Sequence, residues 1–384
     1  MVATRTQQDA VPDWAAIVIV ILSVTAFAVA QGLTFPLISL VLEAKGVAGS
    51  LIGLNAAAYA AGAIVSVVTI DQLTARVRGN RLIVAALFGC SIGLAAFAMT
   101  DCLPIWFIAR FAVGFCASLI SILSGAWLNT ATPDRIRGRI SGFYGTGMCA
   151  GFAAGPLAIP LLGTTNGSAF ALVSGYIASI GLACTVFNGG TRTVPERAPA
   201  GALLRFIGAA PILVLIELAF GFADIAAISG MAVYFVRVGH SEAFTAYAIT
   251  VLSLPTAFAQ PVVGWLLDKT SRAGVTIGCG LLGAVAFLII PFLQSEAAIL
   301  IVFAAIGIAT FALSTCALTI LGERFDGGML IAGTASFSLA YSIGSAMGST
   351  GTGFLLDWIS PSAVPTSVGL GLLAFTILVL FKRP

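Results

Sequence analysis

Apolar residues in this chain come in long blocks, broken by short charged or Pro- and Gly-rich stretches. A run of about 20 apolar residues is the length of a helix that crosses a bilayer. Twelve such runs can be marked, at residues 14–43, 49–70, 81–100, 103–129, 138–163, 168–187, 210–238, 242–267, 274–294, 297–322, 328–357 and 362–381. An even number of crossings puts both termini on one side. The first run follows a polar stretch, is too long for the apolar core of a signal peptide and ends in no small-residue cleavage site, so it is read as a retained span.

Polar residues inside the spans mark the faces that avoid lipid. The third, sixth, ninth and twelfth spans carry no charge in their interiors, as expected of lipid-facing helices, whereas the fourth holds Arg110 and the seventh holds Glu217 and Asp224. A buried acid costs about 3 kcal/mol near the bilayer centre and normally faces a bundle interior or a wet cavity. Glu217 and Asp224 are seven residues apart, two helical turns, so they share one face, with Glu217 about 10 Å nearer the helix start. Two further stripes run at helical spacing: Asn55, Tyr59, Gly62, Ser66 and Thr69 in the second span, and Thr334, Ser338, Tyr341, Ser345 and Thr352 in the eleventh. Each stripe is read either as cavity lining or as interhelical hydrogen bonding.

The seventh span has an earlier counterpart. A shift of 193 positions lays Ala26-Phe27 on Ala219-Phe220, Gln31 on Asp224 and Gly46 on Gly239, which is the signature of a repeated half. The longest polar interruption, Asn188 to Phe206, separates the halves and suits a linker by its Pro, Gly and charge content. The expected organisation is a six-helix bundle over 1–187, a linker over 188–209 and a second six-helix bundle over 210–384.

Composition agrees with a polytopic all-α membrane protein. The 384 residues are 59% hydrophobic and 9% charged, with mean hydropathy +1.08, against about 25% charged in soluble domains. The net charge of +3 is not concentrated on one face, so no nucleic-acid partner is expected. Its distribution matters more: fifteen of the eighteen Lys and Arg fall in segments on the N-terminal side, Lys45 and Arg237 fall on the other, and Arg110 is within a span. By the positive-inside rule both termini are cytoplasmic. The seven Cys show no CxxC spacing and read as small packing residues. A lone histidine, His240, and an isolated Met231 do not make a metal route, and no cofactor is expected. Hydrolase and phosphate-loop motifs are absent from the sequence, so no enzymatic activity is expected.

Several motifs resemble those of the major facilitator superfamily. Gly264-Trp-Leu-Leu-Asp268-Lys269-Thr-Ser-Arg272 is similar to its G-x-x-x-D-[RK] loop, in which the glycine lets helices close and the acid latches onto a neighbouring helix N-terminus. The first-half equivalent keeps Arg76 but has Asp71 and Ala75 in place of the glycine and the acid. Arg110-Phe-Ala-Val-Gly114 resembles the R-x-x-x-G signature, and Thr132-Pro-Asp-Arg-Ile-Arg-Gly-Arg139 resembles the basic loop after the fourth span. Gly147, Gly151, Gly155 and Pro156 resemble, incompletely, the fifth-span element of drug and proton antiporters. Short loops and the TFPLISLVLEAKG ending of the first span are similar to a compact, YcaD-like bacterial branch.

The resemblance implies two six-helix bundles rocking about a midplane site, with the first, fourth, seventh and tenth helices central. It implies a monomeric carrier of a small molecule in the bacterial inner membrane. Asp224 is the candidate proton-coupling acid, with Glu217 as relay, because a buried carboxylate can exchange a proton for cargo once per cycle. The alternative for both is a structural ion pair with Arg110. Gln31, Arg110, Asp224, Tyr341 and Tyr59 are the candidate substrate contacts, and Gly264, Asp268, Lys269, Arg272 and Arg76 the candidate gate. Two acids against one Arg favour neutral or cationic cargo. Export by proton antiport is the leading expectation, with uptake by symport and a non-transporting receptor or assembly factor as the competing readings.

Overall fold

The computed structural model describes residues 14–131, 137–164, 167–186 and 201–382, and these are nearly all helical. Among the described residues twelve helical segments are long and apolar enough to cross a membrane. Their main α-helices are α1 (Trp14–Ala44), α2 (Gly49–Arg76), α3 (Gly79–Met99), α4 (Leu103–Ala131), α5 (Arg137–Ala154), α6 (Ser168–Val186), α7 (Pro211–Ile225), α8 (Glu242–Lys269), α9 (Arg272–Ile289), α10 (Glu296–Arg324), α11 (Gly327–Trp358) and α12 (Ala363–Lys382).

Two spans are less regular than the hydropathy pattern predicts. After α5 the chain narrows into a 3₁₀ turn, Gly155–Ala158, and a last helical turn, Ile159–Leu162, each with a proline in its opening residues. Proline lacks the N–H that a continuing helix would need, so the span is broken where Pro156 and Pro160 stand. The seventh span passes from α7 through a π turn, Ala226–Gly230, into Met231–Arg237. Part of the expected linker is also ordered: Ala202–Ala209 forms a short helix whose Phe206 is fully buried, with its ring 5.1 Å from Phe325 and 6.0 Å from Phe337. Leu204 and Arg205 on its other side are exposed, so this is an amphipathic helix docked on the second bundle. Residues 187–200 lie outside the described residues.

Small residues fix how the helices pair, and they do so in the register of the repeat. A Cβ added to Gly114 would strike the carbonyl of Tyr59, and one added to Gly307 would strike that of Leu252. Gly151 sits in the same way on Thr25 and Gly344 on Leu218; Gly155 sits on Val29 and Gly348 on Phe222. In all three cases both partners move together by the same 193 positions, so α2–α4 and α1–α5 of the first half reappear as α8–α10 and α7–α11 of the second. The turns repeat as well. Val47 N–H returns to Leu42 and His240 N–H to Phe235, around Gly46 and Gly239 at φ 70° and 97°, backbone angles that favour glycine.

The first and seventh spans are the most enclosed, 72% buried each against 50% or less for the others. The halves meet mainly where α2 packs on α11 and α5 on α8, while α3 packs on α4 and α6, and α9 on α10 and α12, at the periphery. One end of the molecule carries Arg76, Arg78, Arg81, Lys269, Arg272 and Arg324, and the far end carries Lys45 and Arg237.

Candidate functional site

A two-lobed cavity lies between the halves. The lobe nearer the far end, about 300 Å³, is bordered by Gln31, Phe35, Tyr59, Phe220, Asp224, Phe311, Tyr341 and Ser345. The other, about 340 Å³, passes Glu217, Ser121 and Ser314 and continues by Val67, Ile122, Tyr144, Leu318 and Thr334 toward the arginine-rich end. Gln31, Tyr59, Ala63, Met148, Phe220, Tyr341 and Ser342 border both, so the space is continuous. Toward the arginine-rich end its lining residues Leu318 and Thr334 are exposed, so it opens there, whereas at the far end α2 and α11 approach through Gly53 and Gly353 until a Cβ would meet the opposing backbone.

The lining follows the repeat. Val24 corresponds to Glu217, Phe27 to Phe220, Gln31 to Asp224, Ser121 to Ser314, Tyr144 to Phe337 and Met148 to Tyr341, each pair bordering the cavity and related by the same shift. The shapes are matched but the charges are not: both carboxylates belong to the second half. Among the described residues bordering the two lobes there is no Lys, Arg or His.

Hydrogen bonds hold the amide, phenols and carboxylates of the lining. Gln31 donates from Nε2 to the Tyr59 oxygen. Tyr341 donates its hydroxyl to Asp224 Oδ2 at 2.8 Å, leaving Asp224 Oδ1 buried without a partner. Ser314 donates to Glu217 Oε1, also at 2.8 Å. Aromatic rings frame these groups: Phe35 packs edge-on against Tyr59 at 4.8 Å, and Phe220 lies 5.1 Å from Phe311 and 5.2 Å from Tyr341. The arrangement offers one unsatisfied carboxylate oxygen, a phenol and an amide inside an apolar, π-rich wall, which suits an organic molecule with one polar or cationic group.

Gln31, Tyr59, Asp224, Tyr341 and Glu217 therefore come together, but Arg110 does not join them. Its side chain is fully buried behind the wall, with the guanidinium carbon 4.7 Å from the Phe35 ring centre and 5.4 Å from that of Tyr59, and its Nε has no hydrogen-bond partner. Among the described residues no carboxylate lies within 4 Å of it, so the ion pair with Glu217 or Asp224 weighed from sequence is not formed; the cation rests on aromatic faces instead.

The polar stripes divide. In α11, Thr334, Ser338, Tyr341 and Ser345 border the cavity, whereas in α2 only Tyr59 does, Gly62 being packed on Phe111 and Asn55 and Ser66 buried elsewhere. Sequence reasoning missed Ser314, Phe311 and Tyr144. The repeat holds the signal for Ser314, since its counterpart is another serine, Ser121.

The expected gate residues sit at the open end. Arg76, Asp268 and Lys269 are exposed, with the Lys269 ammonium 4.9 Å from the Trp265 ring centre. Arg272 pairs with Glu323 of its own half at 2.5 Å and donates to the carbonyls of Leu267 and Thr270. Gly264 does not bring helices together here: a Cβ added to it meets nothing within 4 Å, because the halves are parted at this end. Of the basic loop after α4, residues 132–136 lie outside the described residues. Cys102, expected as a packing residue, is exposed at the head of α4.

The family model for the Major Facilitator Superfamily matches residues 20–238 and 213–384. Among curated proteins, the chain is 24% identical over 354 residues to the uncharacterized MFS-type transporter YfkF of Bacillus subtilis (strain 168), covering 89% of this chain and 88% of that one. It is 30% identical over 160 residues to the enterobactin exporter EntS of Citrobacter koseri, 40% of this chain and 38% of that protein. Among solved structures, a bacterial homologue of the human lysosomal transporter Spinster, crystallised inward-facing and unoccupied, superimposes with a TM-score of 0.75 at 14% identity, over 95% of this chain and 94% of that one. Its occupied form gives a TM-score of 0.75 at 15% identity. With both halves matched and twelve spans in place, this multi-pass membrane protein belongs to the Major Facilitator Superfamily.

Proposed function

We propose that the protein is a proton-coupled secondary transporter that exports a small neutral or cationic organic molecule by alternating access, with Asp224 as coupling acid and Glu217 as relay. The observation that carries this reading is the cavity between the repeats, bordered by two carboxylates and no basic side chain among the described residues. The unpartnered Asp224 Oδ1 leaves an acceptor site that a proton or a cationic cargo group can occupy in turn. Gln31, Tyr59 and Tyr341 are its neighbours for orienting cargo, and Arg110 supports the wall through Phe35 and Tyr59. A cavity that holds two carboxylates, an amide and phenols and is reached from one end counts against a non-transporting relative, whose core would be collapsed around apolar side chains. The name of the distant relative EntS, an exporter, favours export over uptake.

The arginine-rich end is assigned to the cytoplasm of a bacterial inner membrane, with both termini there and a monomer as the working unit. The test begins with a thermal-shift screen of neutral and cationic organic compounds at two pH values. Stabilising compounds are then followed into proteoliposomes under an imposed proton gradient. Gradient-driven movement is expected to be lost in Asp224→Asn while binding of a neutral ligand persists; unchanged accumulation in that variant overturns the coupling role, and reversal of direction with the gradient separates antiport from symport.

A further inference from the structure

The far end of the molecule is shut by polar groups that cross between the halves. Arg237, at the end of Met231–Arg237, donates from Nε and Nη2 to the two oxygens of Glu43 on α1, at 2.8 and 3.0 Å. Its Nη1 donates to the Leu356 carbonyl at 2.8 Å and lies 3.5 Å from Asp357 Oδ1 at the end of α11. Asp357 turns the other way as well: its two oxygens accept the N–H groups of Gly49 and Ser50, the first residues of α2, at 2.8 and 2.7 Å. A carboxylate at a helix N-terminus satisfies orphan donors and meets the positive end of the helix dipole. The two-pronged Arg237–Glu43 contact is a strong form of charged hydrogen bond.

Two of these contacts, Arg237 with Glu43 and Asp357 with Gly49 and Ser50, cannot survive a parting of the halves, while Arg237 with Leu356 and Asp357 stays within the second half and holds the guanidinium in place. Glu43 and the α2 N-terminus belong to the first half, and Arg237 and Asp357 to the second. The side chains of Arg237, Glu43 and Asp357 are 21%, 17% and 20% exposed, so water competes for them only in part. Beneath them the backbones of α2 and α11 touch through Gly53 and Gly353. At the opposite end the Arg272–Glu323 pair stays within one half.

We propose that Arg237, Glu43 and Asp357 form a second gate, a latch at the far end that holds the cavity open only toward the arginine-rich end. This proposal rests on the alternating-access reading, in which opening one end requires closing the other. Sequence reasoning placed gating at Gly264 to Arg272 and Arg76 alone. The new residues looked like ordinary charges at span ends.

The experiment reads the far end directly, with neither cargo nor gradient. The exposed Cys102 of the first half and Gln294→Cys of the second carry spin labels, the other six cysteines being replaced, in nanodiscs of phosphatidylethanolamine and phosphatidylglycerol. Arg237→Gln, Glu43→Gln and Asp357→Asn are each expected to enlarge the long-distance population by about fivefold or more, the lower bound of ordinary conformational couplings, with a smaller rise for Arg237→Lys. A second label pair within the first half, Cys102 with Arg78→Cys, should stay unchanged and identifies any variant that is simply misfolded. Unaltered distances across the halves in Glu43→Gln and Asp357→Asn overturn the latch. That outcome would leave the transport reading standing on Asp224, and lost transport with altered distances would leave the latch standing.

Discussion

Asp224 and Glu217 are each held by a single hydroxyl, Tyr341 and Ser314 respectively, across a helix–helix contact. A hydrogen bond to a charged group is worth about 1.5–3 kcal/mol, and Tyr341→Phe removes one from an acid that already has an orphan oxygen. Gradient-driven transport in proteoliposomes is therefore expected to fall by about tenfold or more in Tyr341→Phe, the equivalent of roughly 1.4 kcal/mol. Ser314→Ala should act in the same direction through Glu217. The acids themselves were legible in sequence because a charge in an apolar run is conspicuous. Ser314 was not, since a serine in a membrane helix satisfies itself on its own backbone as readily as it serves a site. Arg110 was legible as buried but not as withdrawn, because nothing in its own span announces that Phe35 and Tyr59 stand in front of it.

At the level of elements, glycine spacing carries the packing. Gly114 and Gly307 press on carbonyls one repeat apart, so Gly114→Val and Gly307→Val should each lower the midpoint of thermal unfolding in detergent. Overpacking of this kind costs about 1–3 kcal/mol. Gly264→Val faces open space and should leave the midpoint close to the parent's. Span positions and the halves were readable from hydropathy and the repeat, since bilayer thickness fixes helix length. The π turn was not. It falls at Ala226–Gly230, and the shift of one repeat carries Pro36 of α1 onto Ser229 within it, so both central helices interrupt their hydrogen-bond ladders at the same depth by different means. A proline is visible in sequence, whereas a π turn in AAISG carries no residue that demands it.

For the whole molecule, the distribution of arginines predicts topology. A phosphatase fused after the C-terminal residue should be inactive in a bacterial host, and a fluorescent protein at the same place should glow; the reverse result would invert the assignment of the two ends. Under the proposed orientation the cavity faces the cytoplasm in this conformation, with the far end closed. What the chain alone did not disclose was which end is shut, because that depends on contacts between residues far apart in sequence, such as Glu43 with Arg237 and Gly49 with Asp357.

The placement of both cavity carboxylates on the second half has an electrical consequence. In the proposed cycle the acids stay near the midplane while access to them switches sides, so whatever neutralises them is carried through the membrane field, where one uncompensated elementary charge is worth about 2.3 kcal/mol per 100 mV. Swapping one proton for one monovalent cation on an acid leaves the cycle blind to voltage, whereas swapping a proton for an uncharged cargo makes it electrogenic. The current that accompanies turnover would thus report the valence of the cargo before its chemical identity is known.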